Sequence, residues 1–470
     1  MRHLPSSLKI PFPERAGAAL KDASLQEALT NATTKFIGLR KDAFASLPQG
    51  DLLRDRARAI KEATIQRLDY YLEMLADNVE RLGGRVHWAA TGEEARDIIL
   101  QLCGDRGVKT VVKSKSMATE EIELNEALEH AGVTPVETDL GEYIIQLARE
   151  KPSHIIVPAI HKTKGQVADL FSHALKGRFA ADPEVLTAVA RKELRQKFLQ
   201  ADMGITGANF AVAETGTIVL VTNEGNGRMV TSLPRIHVAL MGIEKVIPSM
   251  TDLVVFLAIL ARSATGQKLS VYTTLVRGPR QHGELEGPEE FHLVLMGSGR
   301  SNQISGELRE ALYCLRCGAC LNVCPVYRQI GGHAYGYTYP GPIGILLTAM
   351  LNGDHAVKDL AHASSLCGAC HEVCPVRIDI PRMLIELRQR LDRERIAPLA
   401  ERGVFRVFGR VLASPTLFRL SATLGRMAQR PFVREGRLGS LPLVFGKWTK
   451  TRDLPPVASR TFSERWKELR

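Results

Sequence analysis

Two short cysteine blocks between residues 314 and 375 constrain this chain more than any other feature. They read Cys314-Leu-Arg-Cys317-Gly-Ala-Cys320-Leu-Asn-Val-Cys324-Pro325 and Cys367-Gly-Ala-Cys370-His-Glu-Val-Cys374-Pro375, and they hold seven of the eight cysteines. The first block has the C-x2-C-x2-C-x3-C-P spacing of two-cluster bacterial ferredoxins, in which three cysteines bind one iron–sulfur cluster and the fourth binds the other. The blocks therefore predict two iron–sulfur clusters.

The spacing disfavours the two other common uses of clustered cysteines. A zinc site takes four ligands, usually in pairs, and fits seven cysteines poorly. A disulfide framework is typical of secreted chains, and the first residues, Met1-Arg-His-Leu-Pro-Ser-Ser, have no apolar signal segment. Glycine and alanine between the cysteines allow the backbone to close on a cluster, and the proline after each block turns the chain away.

The second block lacks one cysteine, because a complete repeat would have a thiol where this chain has Ser364. With the crossed pairing of two-cluster ferredoxins, one site takes Cys314, Cys317, Cys320 and Cys374, and the other takes Cys324, Cys367 and Cys370. The second cluster is then [3Fe–4S], or [4Fe–4S] with another fourth ligand. The candidates are Ser364, His362, His371, water and a group from a partner, although a histidine beside a cluster is more often a hydrogen-bond donor.

The composition is that of a globular protein with about three domains. The chain has 470 residues, of which 45% are hydrophobic and 24% are charged. Its longest uncharged apolar run, residues 253–261, is too short to span a bilayer. We therefore expect a cytoplasmic protein, in which thiols stay reduced.

The net charge of +11 is concentrated near the C-terminus, where residues 401–470 hold 15 Lys+Arg against 5 Asp+Glu. This charge indicates an acidic partner or an anionic membrane surface. Nucleic acid is not expected, because no binding motif accompanies the charge. Apolar residues over 404–412 alternate with Arg402, Arg406 and Arg410. They predict an amphipathic helix that docks on a membrane or a partner, or that packs on the cluster domain.

Upstream of the cysteines, the hydrophobic pattern predicts helices over 18–29 and 52–82 that cover a sheet. From Gly83 onward, strands and helices alternate in the βαβ rhythm of a parallel sheet with helices on both faces. The expected strands include 85–90, 108–113, 133–137, 154–157 and 236–241, and the expected helices include 91–102, 117–131, 251–262 and 356–364. Cys103, at the end of one of these helices, is predicted to be a buried hydrophobic residue.

Two loops of this region are candidates for a ligand site. Lys113-Ser-Lys-Ser-Met117 leaves a predicted strand and enters a helix, where α/β sheets bind ligands and helix N-termini favour anions. Lys113, Ser114, Lys115 and Ser116 are therefore candidates for binding a phosphate or a carboxylate, and the alternative is a basic turn in which Ser116 or Thr119 caps the helix. Glu214, in the glycine-bounded segment 204–217, is either an acid/base group or a hydrogen-bonding strut.

With these residues in view, the chain resembles the lactate utilization protein B family, the iron–sulfur subunits of a bacterial L-lactate oxidation system. The resemblance covers essentially the whole length and is carried by residues 68–73, 111–117, 136–145, 204–217 and 331–336 together with both cysteine blocks. It implies an α/β plus all-α fold. The implied parts are a helical segment over 1–69, an α/β domain similar to ribose-5-phosphate isomerase and CoA-transferase proteins over 70–298, a helical two-cluster ferredoxin domain over 299–395, and a basic helical tail over 396–470.

The resemblance also implies a function. It implies two [4Fe–4S] clusters held by the seven cysteines, in an electron-carrier subunit of a complex that oxidises L-lactate to pyruvate, rather than in a stand-alone enzyme. The implied partners are the other subunits of that system and an electron acceptor linked to the membrane, so the expected location is the cytoplasm or the inner face of the membrane. The alternative is an enzyme or sensor for a small carboxylate or phosphorylated metabolite, with Lys113, Lys115 and Glu214 as its site and with regulatory or structural clusters.

Overall fold

The computed structural model describes residues 10–396, 399–439, 441, 446–449 and 452–468. The described chain falls into two compact units, Met1–Leu391 and Asp392–Arg470. The α-helices are α1 Phe12–Ala19, α2 Ala23–Ala45, α3 Gly50–Gln66, α4 Leu68–Arg81, α5 Gly92–Asp105, α6 Met117–Glu121, α7 Leu124–His130, α8 Leu140–Ala148, α9 Lys164–Ala174, α10 Pro183–Gln200, α11 Asn226–Ser232, α12 Met250–Ala264, α13 Ala319–Val323, α14 Tyr327–Ile330, α15 Gly341–Asn352, α16 Ala369–Val373, α17 Ile380–Arg393, α18 Leu399–Ala413, α19 Pro415–Gln429, α20 Gly446–Thr449 and α21 Phe462–Glu468. The strands are β1 Arg85–Ala89, β2 Thr110–Lys113, β3 Thr134–Glu137, β4 Met203–Thr206, β5 Phe210–Val212, β6 Thr217–Thr222, β7 Ile236–Gly242, β8 Val246–Ile247, β9 Tyr272–Val276, β10 Glu290–Met296, β11 Val433–Arg434 and β12 Arg437–Leu438.

A six-stranded parallel sheet forms the centre of the first unit, with strand order β1-β10-β7-β4-β2-β3. Helices cover both faces, so the strands are apolar on both sides. On β2, Val111 packs in the core formed with α5 and α7, whereas Val112 packs in the core formed with α8, α9 and α10. Cys103 belongs to the first of these cores and is 2% exposed, which confirms its prediction as a buried hydrophobic residue.

A second, four-stranded sheet with the order β8-β5-β6-β9 was not predicted from the pattern. β5 and β6 are antiparallel and are joined by a 3-10 turn, Ala213–Thr215, while β8 runs parallel to β5. The strand β5 has only 3 residues, too few for a hydrophobic alternation to identify it.

Several predicted helices are interrupted in the structure. The predicted helix over 52–82 is two helices, because Arg67 leaves the helical region at φ −126°. The one over 117–131 divides into α6 and α7 at Glu123, whose φ is +51°. The one over 18–29 breaks before Asp22, whose side chain caps α2 by accepting the Leu25 N–H. The predicted helix over 356–364 is wrong, since this stretch holds two 3-10 turns, Asp354–Val357 and Leu360–His362.

The predicted strand over 154–157 is also wrong, because this segment is a loop that packs on the cysteine region. The Tyr327 hydroxyl donates to the Ser153 carbonyl at 2.8 Å, and the Gly332 N–H donates to the Ser153 hydroxyl at 3.2 Å. A Cβ on Gly332 would lie 1.9 Å from the Ser153 carbonyl oxygen, so only glycine permits this approach. The loop therefore holds the cysteine region against the sheet region.

The N-terminal helices reach further than the sequence suggested. Predicted as a cover for the sheet, α2 and α3 pack against α12, and α2 also packs against α13 and α14 of the cysteine region. They therefore contact both the α/β region and the cluster-binding region.

In the second unit, α18 and α19 pack against each other as a helical hairpin. The predicted amphipathic helix over 404–412 lies within α18. Apolar side chains of the pair are exposed, among them Val404, Phe405, Phe408, Phe418 and Leu424. No helix among the described residues is both long enough and apolar enough to cross a membrane.

Candidate metal centres and the cavity beside them

The four thiols predicted to share one cluster converge in the structure. Cys314, Cys317, Cys320 and Cys374 line one small cavity, which we call site 1, and each is between 7% and 9% exposed. The N–H groups of Arg316 and Ile378 donate to the sulfurs of Cys314 and Cys374, each at 3.4 Å. One thiol from the second block thus joins three from the first, as crossed pairing requires.

The remaining three thiols of the blocks form site 2, which lies nearer the surface. Cys324 and Cys370 are buried and Cys367 is exposed. Burial raises the pKa of the Cys370 thiol to about 12, and the charges of Cys324 and Cys367 act in the same direction, so the three sulfurs are electrostatic neighbours. The pKa of Cys320 in site 1 is likewise raised by burial and by several cysteines, Cys370 among them, so the two sites adjoin.

Both blocks place their cysteines with the same backbone conformation. Arg316 and Leu366 have φ of 61° and 54°, and Gly318 and Gly368 have φ of 74° and 84°. These left-handed turns lead into the short helices α13 and α16, which pack against each other. A Cβ at Gly318 would lie 2.9 Å from the His154 ring, so this turn needs glycine for its space as well as its φ.

The donor sets of both sites fit iron. All eight cysteines are free thiols, although seven of them are grouped. Burial raises the pKa of Cys317 to about 12 and that of Cys374 to about 11, so both hold protons that metal binding must displace. An iron–sulfur cluster held by such thiolates supplies one-electron transfer.

Residues beside site 2 have other contacts. The Ser364 hydroxyl accepts the Leu366 N–H at 3.2 Å, and His371 Nδ1 donates to the Ile378 carbonyl at 3.0 Å. His362 ends a 3-10 turn. Tyr335, which was not singled out from the sequence, is buried, and its hydroxyl faces the Cys324 thiol. Burial and then the Cys324 charge raise its pKa, which places Tyr335 at site 2.

Arginines from the N-terminal helices hold the second cysteine block. Arg54 donates to the Cys374 carbonyl from Nη2 at 2.9 Å and from Nε at 3.2 Å. Arg40 donates to the Val373 carbonyl at 2.8 Å. These residues lie more than 300 positions before their partners, and no local motif marks them.

A cavity of about 520 Å³ lies at the carboxyl edge of the parallel sheet. We call it the sheet-edge cavity. Residues that follow β2, β3, β4 and β7 line it, among them Lys115, Asp139, Asn209 and Lys245. Open α/β sheets bind their ligands at this edge. The cavity is also lined by Leu315 and Arg316, so it lies against the loop between two site 1 cysteines.

A buried charge network forms the wall of the cavity nearest site 1. Arg300 pairs with Glu121 and Glu244, both at 2.6 Å, and Arg316 pairs with Glu244 at 3.1 Å. Burial by itself would raise the pKa of Glu244, but Arg300 and Arg316 overcome this effect and hold it at about 2. Burial and Arg316 lower the pKa of Lys245, which also lines this wall, to about 8.

The structure does not bring the three predicted ligand-site residues together. Lys113 is buried, and its ammonium contacts Glu137 at 2.5 Å and Asn125 at 2.6 Å. Glu214 does not line the cavity and accepts the Met250 N–H at 3.2 Å, as a strut would. Only Lys115 lines the cavity, where its ammonium donates to the Ile156 carbonyl. Lys113 was selected because α/β sheets bind their ligands where strands end. The same reasoning would have selected Lys245, which follows β7.

Three family descriptions match successive parts of the chain. They are the LUD domain over residues 72–296, the 4Fe-4S dicluster domain over 310–378, and the C-terminal region of lactate utilisation protein B over 389–470. The iron–sulfur prediction is thereby supported by the family matched at both cysteine blocks.

Relatives match over nearly the whole length. Lactate utilization protein B of Bacillus licheniformis is 44% identical over 461 residues, covering 98% of this chain and 97% of the relative. The protein of the same name from Bacillus subtilis is 43% identical, covering 97% of this chain and 98% of the relative. A solved DUF162 family protein from Deinococcus radiodurans is 13% identical with a TM-score of 0.28, covering 49% of this chain and 98% of the solved one.

Proposed function

The chain belongs to the lactate utilization protein B family, and we propose that it is the iron–sulfur electron-transfer subunit of a complex that oxidises L-lactate to pyruvate. The observation that carries this proposal is the convergence of four thiols from two distant blocks on one buried site. A second group of three thiols adjoins it. Lactate enters the proposal from the relatives, which are called lactate utilization proteins. Electron transfer enters it from the two groups of thiols.

The surroundings of the thiols suit electron transfer between a protected and an accessible site. At site 1, burial excludes water and the sulfurs accept backbone N–H groups. At site 2, the exposed Cys367 brings the donor set to the surface, where a partner can approach. In this proposal, site 1 takes a [4Fe–4S] cluster and site 2 takes a [3Fe–4S] cluster or a [4Fe–4S] cluster with a non-cysteine ligand.

The division of the chain and its partners belong to the same proposal. We propose an α/β domain over 70–298, a ferredoxin domain over 299–395 and an extension over 396–470, and the family matches over 72–296, 310–378 and 389–470 support this division. The proposed partners are the other subunits of the lactate system and an electron acceptor at the membrane. The exposed apolar face of α18 and α19, in a segment rich in arginine, supports docking there.

Growth on L-lactate tests this function. A host that lacks the chain should fail to grow on L-lactate and should recover with the wild-type chain but not with Cys317→Ser. Cys103→Ser is the matched control, because Cys103 is buried in the sheet core and outside both sites. Recovery with Cys317→Ser, at equal protein level, would contradict electron transfer through site 1.

The alternative function, a site for a small carboxylate or phosphorylated metabolite in the α/β domain, is favoured by one observation, the sheet-edge cavity. Of the three residues predicted as the site of such an enzyme or sensor, Lys113, Lys115 and Glu214, only Lys115 lies there. Loss of turnover in Lys115→Gln with the iron content intact would favour this enzyme function, and unchanged turnover would favour the carrier.

A further inference from the structure

Two cations at the wall of the sheet-edge cavity have hydrogen-bonding capacity that the protein does not use. The Lys245 ammonium has no hydrogen-bond or ion-pair partner among the described residues. Arg316 is 7% exposed, and its Nε has no hydrogen-bond partner within that same part of the chain. Buried donors are almost always paired in folded proteins, so the unpaired Arg316 Nε, at the same wall as a partly buried lysine without a partner, indicates a missing acceptor.

The carboxylates at the wall nearest site 1 cannot supply that acceptor, because they are already in ion pairs. Glu121 and Glu244 are bound by Arg300 and Arg316. On the opposite side, Asp139 accepts the N–H groups of Gly141 and Glu142 and so caps α8.

The remaining carboxylate of that side, Glu224, accepts the Leu140 N–H at 3.2 Å. Lys115 makes its hydrogen bond to a neutral carbonyl, so its charge is uncompensated by an ion pair. Asp139 and Glu224 have no ion-pair partner among the described residues either, so the unpaired cationic donors are confined to the wall that holds Lys245 and Arg316.

We infer that the sheet-edge cavity binds an organic anion, a carboxylate or a phosphate ester, whose oxygens accept from Lys245 and Arg316 beside the site 1 loop. A volume of about 520 Å³ is within the range of pockets that take molecules from metabolite to cofactor size. Arg316 stands between Cys314 and Cys317, so the bound anion is separated from site 1 by one loop. The inference rests on the proposed function only for this consequence, that the anion sits next to an electron carrier.

The same cations could instead stabilise the negative charge of the site 1 cluster, and the test must separate this role from anion binding. Lys61, whose ammonium donates to the Glu244 carbonyl, adds to Lys245 and Arg316 around Cys314. These charges would stabilise an anionic cluster without any ligand. In that case, removing the Lys245 charge changes the midpoint potential of site 1 and leaves anion binding unchanged.

Calorimetric titration of the cluster-loaded protein under anaerobic conditions tests the inference. The probes are L-lactate, pyruvate, flavin mononucleotide and inorganic phosphate, so that carboxylates and phosphates are distinguished. At least one probe should bind with a stoichiometry near one, and it should alter the electron paramagnetic resonance signal of the reduced site 1. Lys245→Gln should weaken its Kd by about tenfold or more, because a charge-assisted hydrogen bond is lost.

Three further variants make the test decisive. Lys192→Gln removes an exposed lysine charge from α10 and should bind as the wild type does. Lys245→Arg keeps the charge and should retain most of the affinity. If Lys245→Gln loses iron, Lys115→Gln replaces it, since Lys115 lines the cavity, donates to the Ile156 carbonyl rather than joining the charges around Cys314, and should also weaken binding.

Three results would overturn the inference: no binding of any probe, wild-type affinity in iron-replete Lys245→Gln and Lys115→Gln, or a change in the midpoint potential of site 1 alone. Intact, reducible clusters without anion binding would leave the proposed function standing. Anion binding in a protein that holds no clusters would refute the proposed electron-transfer function but would still support anion binding in the sheet-edge cavity.

Discussion

Site 1 and site 2 use the same repeated turn and short helix, yet they have different surroundings. Site 1 has four buried thiols, a carbonyl held by Arg54, and a cavity against its loop. Site 2 has three thiols of the blocks, one of which, Cys367, is exposed. The repeat therefore sets how cysteines face a cluster, whereas helices from elsewhere in the chain decide whether that cluster is protected or accessible.

The largest effects are expected from removing one thiol of each site. Cys317→Ser should abolish the site 1 cluster and Cys370→Ser the site 2 cluster, each with loss of roughly half the iron. Iron analysis and electron paramagnetic resonance of the reduced proteins measure this. Loss of all iron in Cys370→Ser would show that the two sites, which meet through α13 and α16, fold as one unit and that their separation is wrong.

Exposure to air should separate the sites next. Because Cys367 is exposed and the site 1 thiols are buried, the site 2 signal should decay several-fold faster in the presence of oxygen. The time course of both resonance signals after a fixed oxygen pulse provides the measurement. Equal decay rates would mean that burial does not protect site 1.

Replacing the arginine that holds Cys374 should weaken site 1. Arg54→Met removes two hydrogen bonds to the Cys374 carbonyl and should cost about 2 kcal/mol or more, seen as a lower midpoint for thermal loss of the site 1 signal. Arg56→Met is the control, since the Arg56 side chain is 65% exposed and lies 3.8 Å from Asp252. An equally large decrease of this midpoint in Arg56→Met would show that the effect is not specific to Arg54.

The smallest effect concerns the buried hydroxyl at site 2. Tyr335→Phe should lower the site 2 midpoint potential by about 20–60 mV, because a donor beside Cys324 no longer favours the reduced, more negative cluster. Redox titration followed by electron paramagnetic resonance measures both sites. Tyr337→Phe removes another buried hydroxyl, which has no hydrogen-bond partner in the described chain, and should leave both potentials unchanged. A change in the midpoint potential of site 1 instead of site 2 would show that Tyr335 does not act on site 2.

The cysteine sites could be predicted because their spacing is local. Three residues from one cysteine to the next are enough to identify a cluster-binding turn, and the crossed partner follows from the repeat. Arg40 and Arg54 could not be found in this way, since they reach the second block from more than 300 residues away. The exposure of Cys367 could not be predicted either, because it depends on the tertiary packing around the second block and not on the local spacing.

The α/β region shows the same limit. Alternation of apolar strands and helices predicted the parallel sheet, but it mistook the apolar segment after Ser153 for a strand, because packing against Tyr327 cannot be seen in the pattern. The loop that leaves β2 was predicted to carry the site, and it lies at the correct edge of the sheet, but of its two lysines only Lys115 lines the cavity. Lys113 is still inside β2, in register with Glu137 of β3. Its ammonium therefore pairs with the Glu137 carboxylate and does not reach the cavity.

Electron paramagnetic resonance of anaerobically purified protein, oxidised and after dithionite, with iron quantified, tests most directly whether the chain holds two clusters with unequal ligand sets. We expect roughly seven or eight irons per chain. A near-isotropic signal in the oxidised sample would identify a [3Fe–4S] centre at site 2, and two interacting signals in the reduced sample would identify a second cube completed by another ligand. A single cluster with about four irons or fewer would contradict the account.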